Sequence, residues 1–180
     1  MGLSRKQATM ELMASALKEI GFDYVFDTDF AADMTIMEEG TEFLHRLQHK
    51  KDYAWPMFTS CCPGWVRYMK FNRPKQVKQL STAKSPQQMF GAACKEYLKT
   101  FKKIKPENVY CVSVMPCLAK KYECDVPELN DVKRGVKDVD APLTSSVYTL
   151  LRIVFLLCFI HSLVSFLSHF LNVLFYQLTI

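Results

Sequence analysis

The chain has 180 residues, 49% hydrophobic and 23% charged, a composition that excludes a disordered chain, a collagen and a coiled coil. Its 23 basic and 18 acidic residues are interspersed and give a net charge of +5, with no basic arm, so nothing points to nucleic acid. Charge is spread unevenly, however: residues 144–180 carry one formal charge, Arg152. The sequence therefore divides into a globular stretch, 1–143, and an apolar tail, 144–180.

In chain order, Ser4 opens a helix expected over 5–20, closed by Gly21. Tyr24-Val25-Phe26 reads as a short strand. Asp29 is placed as the cap of a second helix reaching Gln48, with Ile36, Met37, Phe43, Leu44 and Leu47 as its apolar face and Gly40 inside it. Met57-Phe58-Thr59 reads as a strand running into Ser60-Cys61-Cys62-Pro63, and Pro63 suits the first turn of a helix ending near Phe71. Ser85-Pro86 is a strong start for a helix over Gln87–Phe101, with Met89, Phe90, Ala93, Tyr97 and Leu98 inward. Val109 to Met115 is the clearest strand, and a short helix over 118–123 follows Pro116-Cys117.

Strands alternating with helices predict an α/β fold, a parallel sheet flanked by helices. In such a sheet ligands bind beyond the carboxyl ends of the strands. Cys61 and Cys62 directly follow one expected strand and Cys117 another, so the pattern predicts that one crevice gathers them. Seven cysteines, at 61, 62, 94, 111, 117, 124 and 158, are many for this length. They fit disulfides, metal ligation or redox chemistry. The opening stretch MGLSRKQATMELMASALKEIG has no apolar signal region, which predicts a reducing setting, cytoplasm or organelle matrix, and argues against a disulfide framework.

Phe58-Thr-Ser-Cys-Cys-Pro-Gly-Trp65 and Met115-Pro-Cys-Leu-Ala-Lys-Lys-Tyr-Glu123 resemble two of the three signature loops of iron-only (FeFe) hydrogenases. Stretches 22–33, 36–42 and 83–91 resemble the same catalytic domain in unbroken order. The resemblance implies reversible oxidation of hydrogen and reduction of protons, with ferredoxin or a similar carrier as electron partner. It implies a 4Fe-4S cluster joined to a two-iron subcluster, together the H-cluster, held by soft thiolate ligands. By resemblance, Cys62 and Cys117 are cubane ligands and Cys61 is a free thiol relaying protons. Glu39, Glu42 and Thr82 continue the relay, Thr82 standing where the family has Ser. Lys120 donates to a cyanide ligand, and Met115 packs beside the two-iron centre. Core packing is the expected role of Cys94 and Cys111.

The family's third, glycine-rich cysteine loop and its ferredoxin-like cluster domain have no counterpart in this sequence. The expectation is a partial catalytic domain, inactive alone; the alternative is a noncatalytic iron–sulfur paralogue or a nonfunctional gene fragment. For 144–180 three readings stay open: a membrane anchor, a buried helix, or sequence from a shifted frame or intron. Residues 153–180 carry no Lys, Arg, Asp or Glu, long enough to span a bilayer. Any membrane contact is expected only through this tail.

Overall fold

Helix starts and stops dominate the architecture. A computed structural model describes residues 9–144, in two units, residues 9–25 in one and Phe26–Thr144 in the other. Helix α1 spans Met10–Ile20. Its cap is Thr9, whose Oγ1 accepts from the Leu12 N–H at 3.2 Å; the expected cap Ser4 and, beyond Thr144, the expected apolar helical tail of 144–180 lie outside the described residues. Gly21 ends α1 as expected, at φ 110°, a left-handed conformation open to glycine at little cost.

The second unit contains α2 (Asp29–Gln48), α3 (Pro63–Asn72), α4 (Pro86–Lys102), β1 (Val112–Val114), α5 (Ala119–Cys124) and β2 (Ala141–Leu143). β1 and β2 run parallel, Val112 opposite Ala141 and Val114 opposite Leu143. A parallel bridge joins Phe58 to Leu80. α2 packs on α4, and α3 on α5. The result is a mixed helix–sheet fold with a small parallel sheet. Among the described residues no helix is long and apolar enough to cross a membrane.

Several expectations change. No strand forms at 24–26; Asp27 Oδ1 accepts the Asp29 N–H at 3.0 Å, so this stretch leads into a turn that opens α2. Asp29 is thus a first-turn residue rather than the cap. The strand at 57–59 shrinks to the Phe58–Leu80 bridge, and β1 is shorter than 109–115.

The buried faces differ more. On α2 the buried residues are Ala31, Thr35 and Arg46, while Ile36, Met37 and Leu44 are 60% or more exposed. On α4 the buried positions are Gln87, Gln88, Gly91, Lys95 and Leu98, and Tyr97 is exposed. These polar side chains go inside because partners wait there. Gln87 Oε1 accepts from Ser113 Oγ at 2.8 Å, and Lys95 Nζ donates to Asp140 Oδ2 at 2.8 Å. Gly91 lets the helix come this close, since a Cβ there would stand 2.5 Å from the Asp138 carbonyl oxygen.

Candidate functional site

The first cysteine loop is shaped by its own backbone. Ser60 Oγ accepts the Cys62 N–H at 3.0 Å, and Cys62 becomes the N-cap of α3, with Pro63 at the first helical position. A helix N-terminus favours negative charge in front of it. Cys61 and Cys62 are both exposed free thiols. The second loop leaves β1, where the Met115 N–H donates to Leu143 O at 2.8 Å, and runs through Cys117 into α5. Met115 and Cys117 are half-buried.

One side chain joins the loops. Lys120 is 8% exposed, and its Nζ donates to the Cys61 carbonyl at 2.6 Å and to Glu123 Oε2 at 2.8 Å. Glu123, 4% exposed, balances the buried ammonium. Two of the three ammonium donors are thereby engaged. Arg67 on α3 lies 4.9 Å from the Tyr122 ring centroid of α5, a second tie between the same elements.

A second cluster lies on α2. Glu42 Oε1 accepts from Arg46 Nε at 3.0 Å, and its Oε2 accepts from Ser81 Oγ at 2.6 Å and from the Thr82 N–H at 3.0 Å. Thr82 therefore meets Glu42 through its backbone; the hydroxyl in contact is that of Ser81. Arg46 Nη2 also donates to Leu80 O at 2.8 Å, fixing this turn against α2. The Phe58–Leu80 bridge puts the start of the Cys61 loop beside the same turn: the Ser81 N–H donates to Phe58 O at 2.7 Å. Among the described residues no hydrogen bond links Glu39 or Glu42 to Cys61.

The two carboxyls are driven apart. Burial raises Glu39 above its ordinary value, and the nearby Glu42 charge adds to this. Burial pushes Glu42 up as well, but the Ser81 hydroxyl, the Arg46 guanidinium and the Thr82 N–H outweigh it and hold the group below its ordinary 4.5. Such a pair holds one acid protonated and its neighbour ionised over the same pH interval, a pattern suited to proton transfer.

The Glu42 shift has a stability consequence. With its folded value lowered, the carboxylate stabilises the fold above pH 4.5, and this contribution disappears as pH falls through the folded value. Urea unfolding of wild type should lose midpoint with acid in that interval, whereas Glu42→Gln should be weaker near neutrality and flatter toward acid. Ser81→Ala should cost about 1–2 kcal/mol near neutrality by removing one charge-assisted bond. A Glu42→Gln profile parallel to wild type would show that this carboxylate does not carry the dependence.

Sequence reasoning missed Ser81, Arg46 and Glu123. The last two stand at i+4 from Glu42 and i+3 from Lys120, helical spacings that were readable. Burial raises the thiols of the three other described cysteines, Cys94, Cys111 and Cys124. Burial, with Cys94 nearby, pushes the Cys111 thiol up to about 12, and burial with Glu123 and Asp125 pushes Cys124 up to about 11. Burial raises Cys94 against the opposing charge of Lys95.

A 4Fe-4S cubane takes four thiolates. Among the described residues no three His, Cys, Asp or Glu side chains gather around one point. These residues do not fit a complete cluster: of the six described cysteines, Cys94, Cys111 and Cys124 have thiols pushed up by burial, which leaves Cys61, Cys62 and Cys117, one short of four.

Comparison with known proteins agrees with the loops. The family model described as iron only hydrogenase large subunit, C-terminal domain, matches residues 1–150. The NADP-reducing hydrogenase subunit HndD of Solidesulfovibrio fructosivorans is 54% identical over 137 residues, 74% of this chain and 23% of the relative. Nuclear prelamin A recognition factor of Mus musculus is 43% identical over 133 residues, 72% of this chain and 29% of the relative. A solved variant of the [FeFe]-hydrogenase HydA1 from Chlamydomonas reinhardtii aligns with a TM-score of 0.71 at 43% identity, covering 76% of this chain and 34% of that one. The chain thus spans about a quarter to a third of the length of these relatives.

Proposed function

Because this chain belongs to the iron-only hydrogenase large-subunit family, we propose that it contributes two cysteine loops and a proton-relay wall to a centre interconverting hydrogen with protons and electrons. The observation that carries this reading is the Lys120–Cys61 bond at 2.6 Å, which ties together loops lying 59 residues apart. The family's cofactor is the H cluster with its 2Fe subcluster, which supplies the redox chemistry when bound. Cys62 and Cys117 are the proposed iron ligands, and further thiolates must come from beyond the described residues. Met115, half-buried in the second loop, is the proposed soft apolar neighbour of the two-iron centre, and Lys120 keeps one donor for an anionic ligand.

The proton path is built from this chain's own groups. Glu39, whose pKa burial and the Glu42 charge raise, is the proposed proton donor and Glu42, whose pKa is lowered, the proposed acceptor; the Ser81 hydroxyl can take and give a proton at 2.6 Å from Glu42. Thr82 fixes the turn that presents Ser81. Cys61 is the proposed last carrier, its loop beginning at the residue whose carbonyl holds the Ser81 N–H. Ferredoxin or a similar carrier is the proposed electron partner. A reducing compartment, cytoplasm or organelle matrix, suits the free thiols.

A second reading, a noncatalytic iron–sulfur protein, draws on the 35% identity over 148 residues to cytosolic iron-sulfur assembly component 3 of Bos taurus. A chimera separates them. Residues 26–144 replace the corresponding stretch of Chlamydomonas reinhardtii HydA1, and hydrogen evolution from reduced methyl viologen is measured. The expected result is activity that falls about a hundredfold or more in Cys61→Ala, the range for losing a positioned proton carrier, and vanishes in Cys62→Ala or Cys117→Ala. A folded, iron-loaded chimera without activity would favour the second reading.

A further inference from the structure

At the carboxyl end of α2, His45 in the last turn and His49, the residue that caps the helix, stand four residues apart and are both exposed. Their ring centroids are 4.4 Å apart, with an interplanar angle of 31°. His49 Nδ1 lies 3.0 Å from the His45 carbonyl oxygen. A carbonyl only accepts, so this ring carries its proton on Nδ1 and its lone pair on Nε2. His45 Nδ1 lies 3.2 Å from the Tyr53 hydroxyl, which stands edge-on to the ring. That phenol accepts from Nδ1–H equally well, which leaves Nε2 of His45 as a second lone pair. Tyr53 is itself held by Arg46, whose Cζ lies 5.2 Å from its ring centroid.

We propose that His45 and His49 form a binding site for one divalent transition-metal ion of the zinc class, ligated by the two Nε2 atoms and completed by water. Imidazole suits such ions, and ligating histidines ordinarily have their second ring nitrogen bonded to an oxygen, as both are here. Zinc–nitrogen bonds of about 2.0–2.1 Å at a tetrahedral angle set two ligating nitrogens roughly 3.4 Å apart. Rings at 4.4 Å on exposed side chains reach that spacing with small side-chain rotations. His45 also lines the cavity shared by Glu38, Glu42 and Thr82, so an ion there adds positive charge at its rim.

The test is residue-resolved labelling of the full chain with diethyl pyrocarbonate, which attacks imidazole lone pairs, read by mass spectrometry with and without Zn2+. Thiols are zinc ligands as well, so exposed Cys61 and Cys62 compete for the ion, but they do not obscure a readout made at each histidine. Micromolar Zn2+ in excess over the thiols should slow labelling of His45 and His49 together by about tenfold, since a ligating nitrogen has no lone pair to offer. His49→Gln, on an exposed site, should abolish protection of His45, and His45→Gln that of His49, with circular dichroism unchanged. Labelling unaffected by millimolar Zn2+ would overturn the site. So would full protection of His45 in His49→Gln, which would put the ion on other ligands.

Discussion

Anaerobic reconstitution of the 180-residue chain by itself with iron, sulfide and a synthetic two-iron precursor should yield no hydrogen evolution from reduced methyl viologen. Carbonyl and cyanide infrared bands should fail to stay with the protein after desalting. Ligand supply is the reason. Cys62 and Cys117 offer two thiolates where a cubane takes four. Cys111 and Cys124 are poor substitutes, because burial holds their thiols up to about 12 and about 11, and iron binds the thiolate. Cys124 is also engaged, accepting from Gln87 Nε2 at 3.2 Å and donating to Lys120 O at 3.2 Å. Proton carriers do not compensate: Glu39, Glu42, Ser81 and Cys61 lead toward a metal centre that these ligands do not complete. Hydrogen evolution that disappears in both Cys62→Ala and Cys117→Ala would reverse this expectation and require further ligands to complete the centre.

The same contrast between what is local and what is distant explains which parts of the fold were legible in the sequence. The start of α4 was readable because Ser85 and Pro86 act within one helical turn, Ser85 Oγ accepting the Gln88 N–H. The start of α3 was readable from Pro63, and the end of α1 from Gly21. The buried faces were not. Apolar periodicity marks Met89, Phe90, Ala93, Tyr97 and Leu98 as the inner face of α4; of these Leu98 is buried, yet Gln87, Gln88 and Lys95 are more enclosed still. Their partners, Ser113, Leu129 O and Asp140, lie 26 to 45 residues away, and no local signal announces them. β2 went unread because Pro142 sits at its centre, where the charge break near Leu143 suggested a boundary. The site behaves likewise: both cysteine loops were recognisable as words, but the Lys120 bond that joins them and the choice of Ser81 over Thr82 depend on how three elements dock.

Asp140→Ala should destabilise the Phe26–Thr144 unit by about 3–5 kcal/mol, the usual result of stranding a buried charge. Lys95 is 0% exposed, and its ammonium has two partners, Asp140 Oδ2 at 2.8 Å and Lys137 O at 2.6 Å. Removing the carboxylate leaves a positive charge enclosed with one carbonyl. It also takes the acceptor from the Cys111 N–H, which reaches Asp140 Oδ2 at 2.7 Å just ahead of β1. The loss lies next to β2, whose Leu143 carbonyl holds the Met115 N–H, so the second cysteine loop should loosen with it. Lys95→Met is milder, because Asp140 remains 19% exposed to water and keeps its bond to Cys111. Combining Lys95→Met with Asp140→Ala should recover much of the loss, since no charge is then stranded. The exposed pair Lys99–Glu96, 53% exposed on both sides, is the control, and Glu96→Ala should cost at most about 1 kcal/mol. Urea midpoints of the four variants give the order directly. An Asp140→Ala midpoint no lower than that of Glu96→Ala would mean that Lys95 finds water or another acceptor, and that α4 is not anchored to β2 by this ion pair.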